Sequence, residues 1–263
     1  MNSLANLPTE RQCHKQLFKL TYGSCKCPVC YHRLLFRSSY AWCSKCRVKH
    51  SIKSATWLKH SNLPFQKLWL LVWCWQHHET VGGMCRIVNI SYPTAHRWLI
   101  RFRDILPSSS LRLSGIVEVD ESFFGKQRYG QQAIVVGAIE RNTRHIKLQI
   151  IPDRAQDSLE LFLSHNVKSG SLILTDAHAG YSDLEFYGFM HERCNHSLGH
   201  FGPTNMIENF WGVIKRALRR LYGRLTLLDL SNILKEWEQR QNNPDLFYTV
   251  DNYLRATCSG LVE

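Results

Sequence analysis

Acidic residues at three places in a basic chain stand where a metal-dependent reaction would need them. Glu118 and Asp120 occur in GIVEVDESFFG (115–125), where strand alternation puts both carboxylates on one face and Val117 and Val119 on the other. Carboxylates in so apolar a strand are costly unless a cation or a donor meets them. Asp176 directly follows the buried-type strand SLILT (171–175), at a C-terminal strand end of the kind where ligands collect in α/β sheets. Glu208 is the only acid in PTNMIENFWGVIKRALRRLYG (203–223). On a helical wheel of about 100° per residue, Ile207, Phe210, Trp211, Ile214, Leu218 and Leu221 form a core stripe. Glu208, Lys215 and Arg219 fall within roughly 40° of one another beside that stripe, and Arg216 and Arg220 point away. Spacing alone leaves three readings of Glu208: a capping box with Asn205, a surface ion pair, or a catalytic carboxylate with a lysine two turns on. Hard oxygen ligands of this kind suit Mg²⁺ or Mn²⁺.

A second metal signal is softer. Cys27-Pro-Val-Cys30 and Cys43-Ser-Lys-Cys46 are two CxxC pairs separated by twelve residues, the arrangement of a tetrahedral, closed, structural zinc site. The surrounding segment of about thirty residues has few large apolar side chains, so the metal would supply its stability. Cys25, His32 and His50 stand close enough to substitute for a ligand. Cys13, Cys74, Cys85, Cys194 and Cys258 have no paired spacing and read as ordinary thiols.

The elements that must position these groups follow from changes in periodicity. Residues 22–50 are cysteine-rich with short strand-like pieces. FQKLWLLVWCWQHH (65–78), TVGGMCRIVN (80–89) and YPTAHRWLIRFRDIL (92–106) read as three helices, and PSSS (107–110) as a linker. The last two helices meet at a short turn with Ser91 or Thr94 available as N-cap and Pro93 in the first helical turn, a helix-turn-helix pattern. In its second helix Ala95, Trp98, Leu99 and Phe102 face inward, leaving His96, Arg97, Arg101 and Arg103 for phosphate or base contacts. Beyond the linker, strands at 115–125, 132–140 and 145–151, a helix at 155–167, a strand at 171–175, a brief helix at 178–186, a strand at 189–194 and the Glu208 helix predict a mixed sheet flanked by helices.

The whole chain bounds the partners. Its 263 residues carry 33 Lys and Arg against 21 Asp and Glu, a net charge of +12 spread along the sequence, which favours a polyanion such as nucleic acid. Ten cysteines without a secretory signal pattern point to a reducing compartment. The longest apolar run, LWLLVWCW (68–75), is far short of the ~20 residues of a membrane span and reads as a buried helix.

VEVDESFFG (117–125), TDAHAGY (175–181), NHS (195–197) and TNMIENFWGVIKR (204–216), after a cysteine ribbon and a helix-turn-helix, resemble the transposases of bacterial insertion sequences, in particular the group related to Merlin elements. The likeness spans roughly residues 22–225. It implies an α/β, RNase H-like DDE domain with an N-terminal zinc ribbon and a helix-turn-helix segment. The implied domains are 1–55, zinc ribbon; 56–110, helix-turn-helix and linker; 111–225, catalytic; and 226–263, a C-terminal helical extension. Asp120, Asp176 and Glu208 are then the metal-binding triad and Lys215 the basic residue that accompanies it. Some relatives carry Asn as third residue, and Asn205 and Asn209 flank Glu208, but Asn209 points roughly 100° away from the edge shared with Lys215. The basic segment after the first aspartate, GKQRYGQQ (125–132), is short, and His196 is a further candidate beside the site. Glu118 and Glu121 read as supporting residues, Glu118 the nearer to a metal.

The implied activity is binding of terminal inverted repeats, cleavage at the element ends and joining of the 3′-hydroxyl to target DNA with two Mg²⁺ or Mn²⁺ ions. Lys215 and Arg219 would hold the DNA backbone, and the partners would be the two DNAs and at least one further copy of the chain. A nucleoid-associated cytoplasmic location and no membrane partner go with this. The competing expectation is a transposase-derived DNA-binding protein without catalysis.

Overall fold

The computed structural model describes residues 7–125, 132–176, 181, 184–193, 204–222 and 227–258. Two compact units are formed, residues 1–107 with 245–263, and residues 108–244. In the first unit, α1 (Glu10–Tyr22) starts at a capping box between Thr9 and Gln12 and ends at Gly23 with φ 76°. The Thr-x-x-Gln spacing carries that start in the sequence, yet the helix was not among the expected elements. A small antiparallel sheet follows, of β1 (Leu34–Phe36), β2 (Ala41–Cys43) and β3 (Lys49–His50). Next come α2 (Ile52–Ala55), α3 (Phe65–Gln76), α4 (Val81–Val88) and α5 (Tyr92–Asp104). The apolar run 68–75 lies inside α3, where Leu71, Val72 and Cys74 are fully buried. No helix among the described residues is long and apolar enough to cross a membrane.

The second unit begins with the meander β4 (Ile116–Phe124), β5 (Ala133–Glu140) and β6 (Ile146–Ile151), all antiparallel. After α6 (Gln156–Asn166), β7 (Leu172–Thr175) returns parallel to β4, and β8 (Met190–Arg193) lies parallel to β7. Helices α7 (Asn205–Leu221) and α8 (Leu227–Asn242) complete it. The order β6-β5-β4-β7-β8 is the RNase H-like mixed sheet that was expected. The brief helix expected at 178–186 falls partly outside the described residues; within them a 3₁₀ turn, Leu184–Tyr187, is seen.

Strand alternation divides the core of this unit between the two faces of the sheet. Val117, Val119, Val136 and Ala138 pack with Leu159, Phe162 and Leu163 of α6. On the opposite face Phe124, Val135 and Ile139 pack with Ile207, Trp211 and Ile214 of α7 and with Ile233 of α8. Gly137 lets α7 approach: a Cβ there would lie 2.6 Å from Trp211 Cζ2. The terminal helix α9 (Val250–Cys258) belongs to the first unit, where Val250, Tyr253 and Leu254 share the core of α1 and α3. Residues 226–263, expected as one extension, are therefore shared: α8 belongs to the sheet unit and α9 to the other.

Candidate active site

Asp120 lies in the middle of β4 opposite Gly137, on the face that α7 covers. The parallel register pairs Glu118 with Leu174, and Asp120 and Asp176, each two residues further along, lie within electrostatic range of one another. Glu208 stands in the first turn of α7, and the hydroxyl of Thr204 donates to its Oε1 at 2.8 Å. The capping box with Asn205, one of the three readings of Glu208, is not formed, because Thr204 occupies the N-cap position. Beside Asp176, the Thr175 hydroxyl donates to the Asp176 carbonyl at 2.8 Å and sits 2.9 Å from His191 Nε2.

Asp176 and Glu208 are both brought into electrostatic range of Asp120. Burial raises the Asp120 carboxyl from 3.8 to about 6, Glu121 adds most among its neighbours, and Asp176 and Glu208 push in the same direction. A half-buried carboxyl among three others is a site that favours a proton or a cation. Glu121 points to the opposite face of the sheet. There it accepts hydrogen bonds from the Tyr181 hydroxyl and from Arg154, whose Nη2 lies 2.7 Å from Oε2. Burial, and then Glu121, hold the Tyr181 hydroxyl well above the ordinary tyrosine range, so Tyr181 remains a donor. The position of Tyr181 at the end of TDAHAGY hints at this role, whereas nothing local marks Arg154.

Glu118, read from sequence as the nearer neighbour of a metal, has both oxygens engaged by protein. Oε1 accepts from Arg141 Nε at 2.7 Å, and Oε2 accepts from the backbone N–H of Met206 at 2.8 Å and of Ile207 at 3.2 Å. Lys215 is half-buried with its Nζ 5.6 Å from the Phe124 ring centroid, while Arg219 is exposed. His196 and most of the 125–132 segment lie outside the described residues.

In the first unit, the sulfurs of Cys27, Cys30, Cys43 and Cys46 all lie within 4.8 Å of one another. The Cys27–Cys46 and Cys30–Cys43 distances are both 3.5 Å. A tetrahedral zinc with ~2.3 Å bonds needs sulfurs roughly 3.8 Å apart, so the cluster fits that ion. Cys25 instead contacts the Lys15 carbonyl, and His50 Nε2 lies 3.3 Å from the Cys27 sulfur. Three or more metal-ligating side chains converge this closely, among the described residues, at the cysteine cluster.

The helix-turn-helix candidate is formed by α4, a left-handed Asn89 (φ 53°) and α5 with Ser91 at its N-cap. Arg97 is exposed and His96 is half-buried, stacked on Tyr92. Arg101, read as a DNA contact, is held inside its own unit. Its guanidinium donates to the carbonyls of Trp57 and Lys59 and packs 5.4 Å from the Trp57 ring and 5.3 Å from the Trp98 ring. Arg103, read as available for phosphate or base contacts, is buried at 3 % exposure. The inward stripe extends further round the helix than its apolar residues indicate, because arginine stems and guanidinium planes pack against tryptophan.

Residues 112–242 match the family described as the ISXO2-like transposase domain. An uncharacterized transposase-like protein of Haemophilus influenzae is 33% identical over 101 residues, which span 37% of this chain and 80% of that protein. Among solved structures, the chain is similar to the catalytic core domain of BIV integrase, with a TM-score of 0.37 at 14% identity over 49% of this chain and 84% of that one. It is also similar to the HTLV-2 integrase catalytic core domain in complex with magnesium, with a TM-score of 0.38 at 14% identity over 51% and 90%.

Proposed function

Because this chain belongs to the ISXO2-like transposases of insertion sequences, we propose that it cleaves the phosphodiester at the ends of its element and joins the freed 3′-hydroxyl to target DNA. The broader class, a polynucleotidyl transferase, follows from the family. The observation that supports the site assignment is the electrostatic meeting of Asp120, Asp176 and Glu208 on one face of the sheet. Acids from the end of β7 and from α7 raise the proton affinity of Asp120 on β4, a charge crowding that a bound Mg²⁺ or Mn²⁺ would relieve. Asp120, Asp176 and Glu208 would hold such ions, which would supply activation of the attacking oxygen and stabilisation of the leaving one.

The chain's own side chains supply the rest. Asp120 is fixed by the sheet, Asp176 by the end of β7, and Glu208 by the Thr204 hydroxyl. Lys215, two turns beyond Glu208 and braced on Phe124, reaches for a phosphate beside the carboxylates, and the exposed Arg219 extends that contact along the backbone. Recognition of the terminal repeats falls to α4 and α5, with Arg97 and the Tyr92–His96 pair at the exposed end of α5. The four cysteines hold a structural zinc. Joining two ends requires at least two copies of the chain, acting on DNA in the cytoplasm.

The test is strand transfer from pre-cleaved ends with Mg²⁺. Asp120→Asn, Asp176→Asn and Glu208→Gln should each lower the rate by at least roughly a hundredfold while leaving end binding intact. Wild-type transfer by Glu208→Gln, with both aspartate variants inactive, would remove Glu208 from the triad. A chain that binds ends but shows no transfer in any form would favour the non-catalytic DNA-binding protein.

A further inference from the structure

The first turn of α7 is not capped by its own N-cap side chain. Its N-cap Thr204 makes no side-chain bond to the helix backbone, because its hydroxyl is used on Glu208 Oε1. The N–H groups that an N-cap side chain ordinarily serves, those of the second and third helical residues, are Met206 and Ile207. Both point at Glu118 Oε2, at 2.8 and 3.2 Å, from a residue 88 positions earlier than Met206. The other oxygen is held by Arg141, and Glu118 is 1 % exposed. A buried carboxylate on the sheet thus satisfies the helix start, where the macrodipole also favours negative charge.

A local cap would fix only the chain around Thr204. A cap borne by β4 fixes the height of α7 above the strand that carries Asp120, two residues from Glu118 on the same face. We propose that Glu118 is a positioning residue that sets Glu208 against Asp120 and so determines the affinity of the carboxylate site for a divalent cation. With both oxygens engaged, Glu118 is not itself a ligand. This inference rests on the reading of Asp120, Asp176 and Glu208 as the cation site.

The experiment is a double-variant cycle on the zinc-loaded full-length chain. Mn²⁺ binding is followed by electron paramagnetic resonance, strand transfer is titrated with Mn²⁺, and thermal unfolding is recorded in parallel. Glu118→Gln should raise the Mn²⁺ concentration for half-maximal binding and transfer by about 10–100-fold. In a Glu208→Gln background, adding Glu118→Gln should cost nothing further, because its effect passes through Glu208. A lowered melting temperature with unchanged Mn²⁺ dependence, or losses that add in the double variant, would reduce Glu118 to a structural role and overturn the proposal while leaving the triad intact. Absence of Asp120-dependent Mn²⁺ binding in the wild type would overturn the triad, and this inference with it. If Glu118→Gln does not fold, Arg141→Gln replaces it, since it leaves the cap but removes the cation beside its other oxygen. The same pattern at smaller amplitude is then expected, and additivity with Glu208→Gln would again overturn the proposal.

Discussion

Asp120 is where burial and charge meet most sharply. Its carboxyl is raised to about 6 by burial first and by Glu121 next, so the folded chain holds a proton there that the unfolded chain releases above about 4. A raised pKa contributes stability that is fully present below the unfolded value and is lost as pH rises through the folded one. Metal-free protein should therefore become less stable between about pH 4 and pH 6 on account of this group. Asp120→Asn removes the ionisation. After discounting for partial exposure, the variant should exceed wild type by on the order of 1 kcal/mol at pH 7, about 2–4 °C in melting temperature, with the gap closing below pH 4. Added Mg²⁺ should raise the wild type alone. Thermal unfolding from pH 4 to pH 8, with and without Mg²⁺, checks this, and a gap that does not vary with pH would mean that Asp120 is not strained in its ionised form.

The precision of the site comes from how α7 lies on the sheet. Trp211 rests over Gly137, the cross-strand partner of Asp120, so the absence of a side chain at Gly137 sets the approach of the helix that carries Glu208. Gly137→Ala would put a methyl 2.6 Å from Trp211 Cζ2, 2.8 Å from Cη2 and 3.1 Å from Ile207 Cδ1. The ring cannot retreat without moving α7, so the change should cost roughly 1–3 kcal/mol. Strand transfer should fall by more than the folded fraction does, and parallel denaturant melts and rate measurements separate the two. Equal losses would mean that the helix repacks without moving Glu208. This is also the scale at which the sequence is most and least readable. The strands of the mixed sheet, the core stripe of α7 and the separation of Glu208 and Lys215 from it follow from periodicity, because each is a local pattern of apolar and polar residues. The Glu118 cap, the Tyr181–Glu121–Arg154 contact and the capture of Arg101 by Trp57 and Lys59 do not, because each joins segments far apart in the chain with no local signature. The capping box placed at Asn205 shows the limit of a short motif: a one-residue shift in the helix start, to Thr204, gives Glu208 a different partner.

At the scale of the whole chain, the two units differ in continuity. Residues 108–244 form the sheet unit without interruption, whereas the other needs both ends of the chain, 1–107 and 245–263. The returning segment is integral to that unit's core. Tyr253 packs against Trp75 at 5.0 Å and donates its hydroxyl to the Phe102 carbonyl at 3.1 Å, and Phe247 lies 5.2 Å from Trp75. Phe247, Val250, Tyr253, Leu254 and Cys258 are all buried there. At about 1.5–3 kcal/mol for each large apolar side chain, their loss is comparable to the whole stability of a domain. A fragment of residues 1–107 should therefore lack a cooperative transition and bind hydrophobic dye. The same fragment joined through a Gly/Ser linker to residues 245–258 should fold. The cluster of Cys27, Cys30, Cys43 and Cys46 contributes to the same core, so the joined fragment should carry one zinc per chain and lose its transition when a chelator strips the metal. Residues 108–244 should fold alone and be indifferent to the chelator. Circular dichroism melts and zinc analysis of the three fragments decide it: a stable, cooperative 1–107 would show that the returning helix decorates the unit rather than completing it.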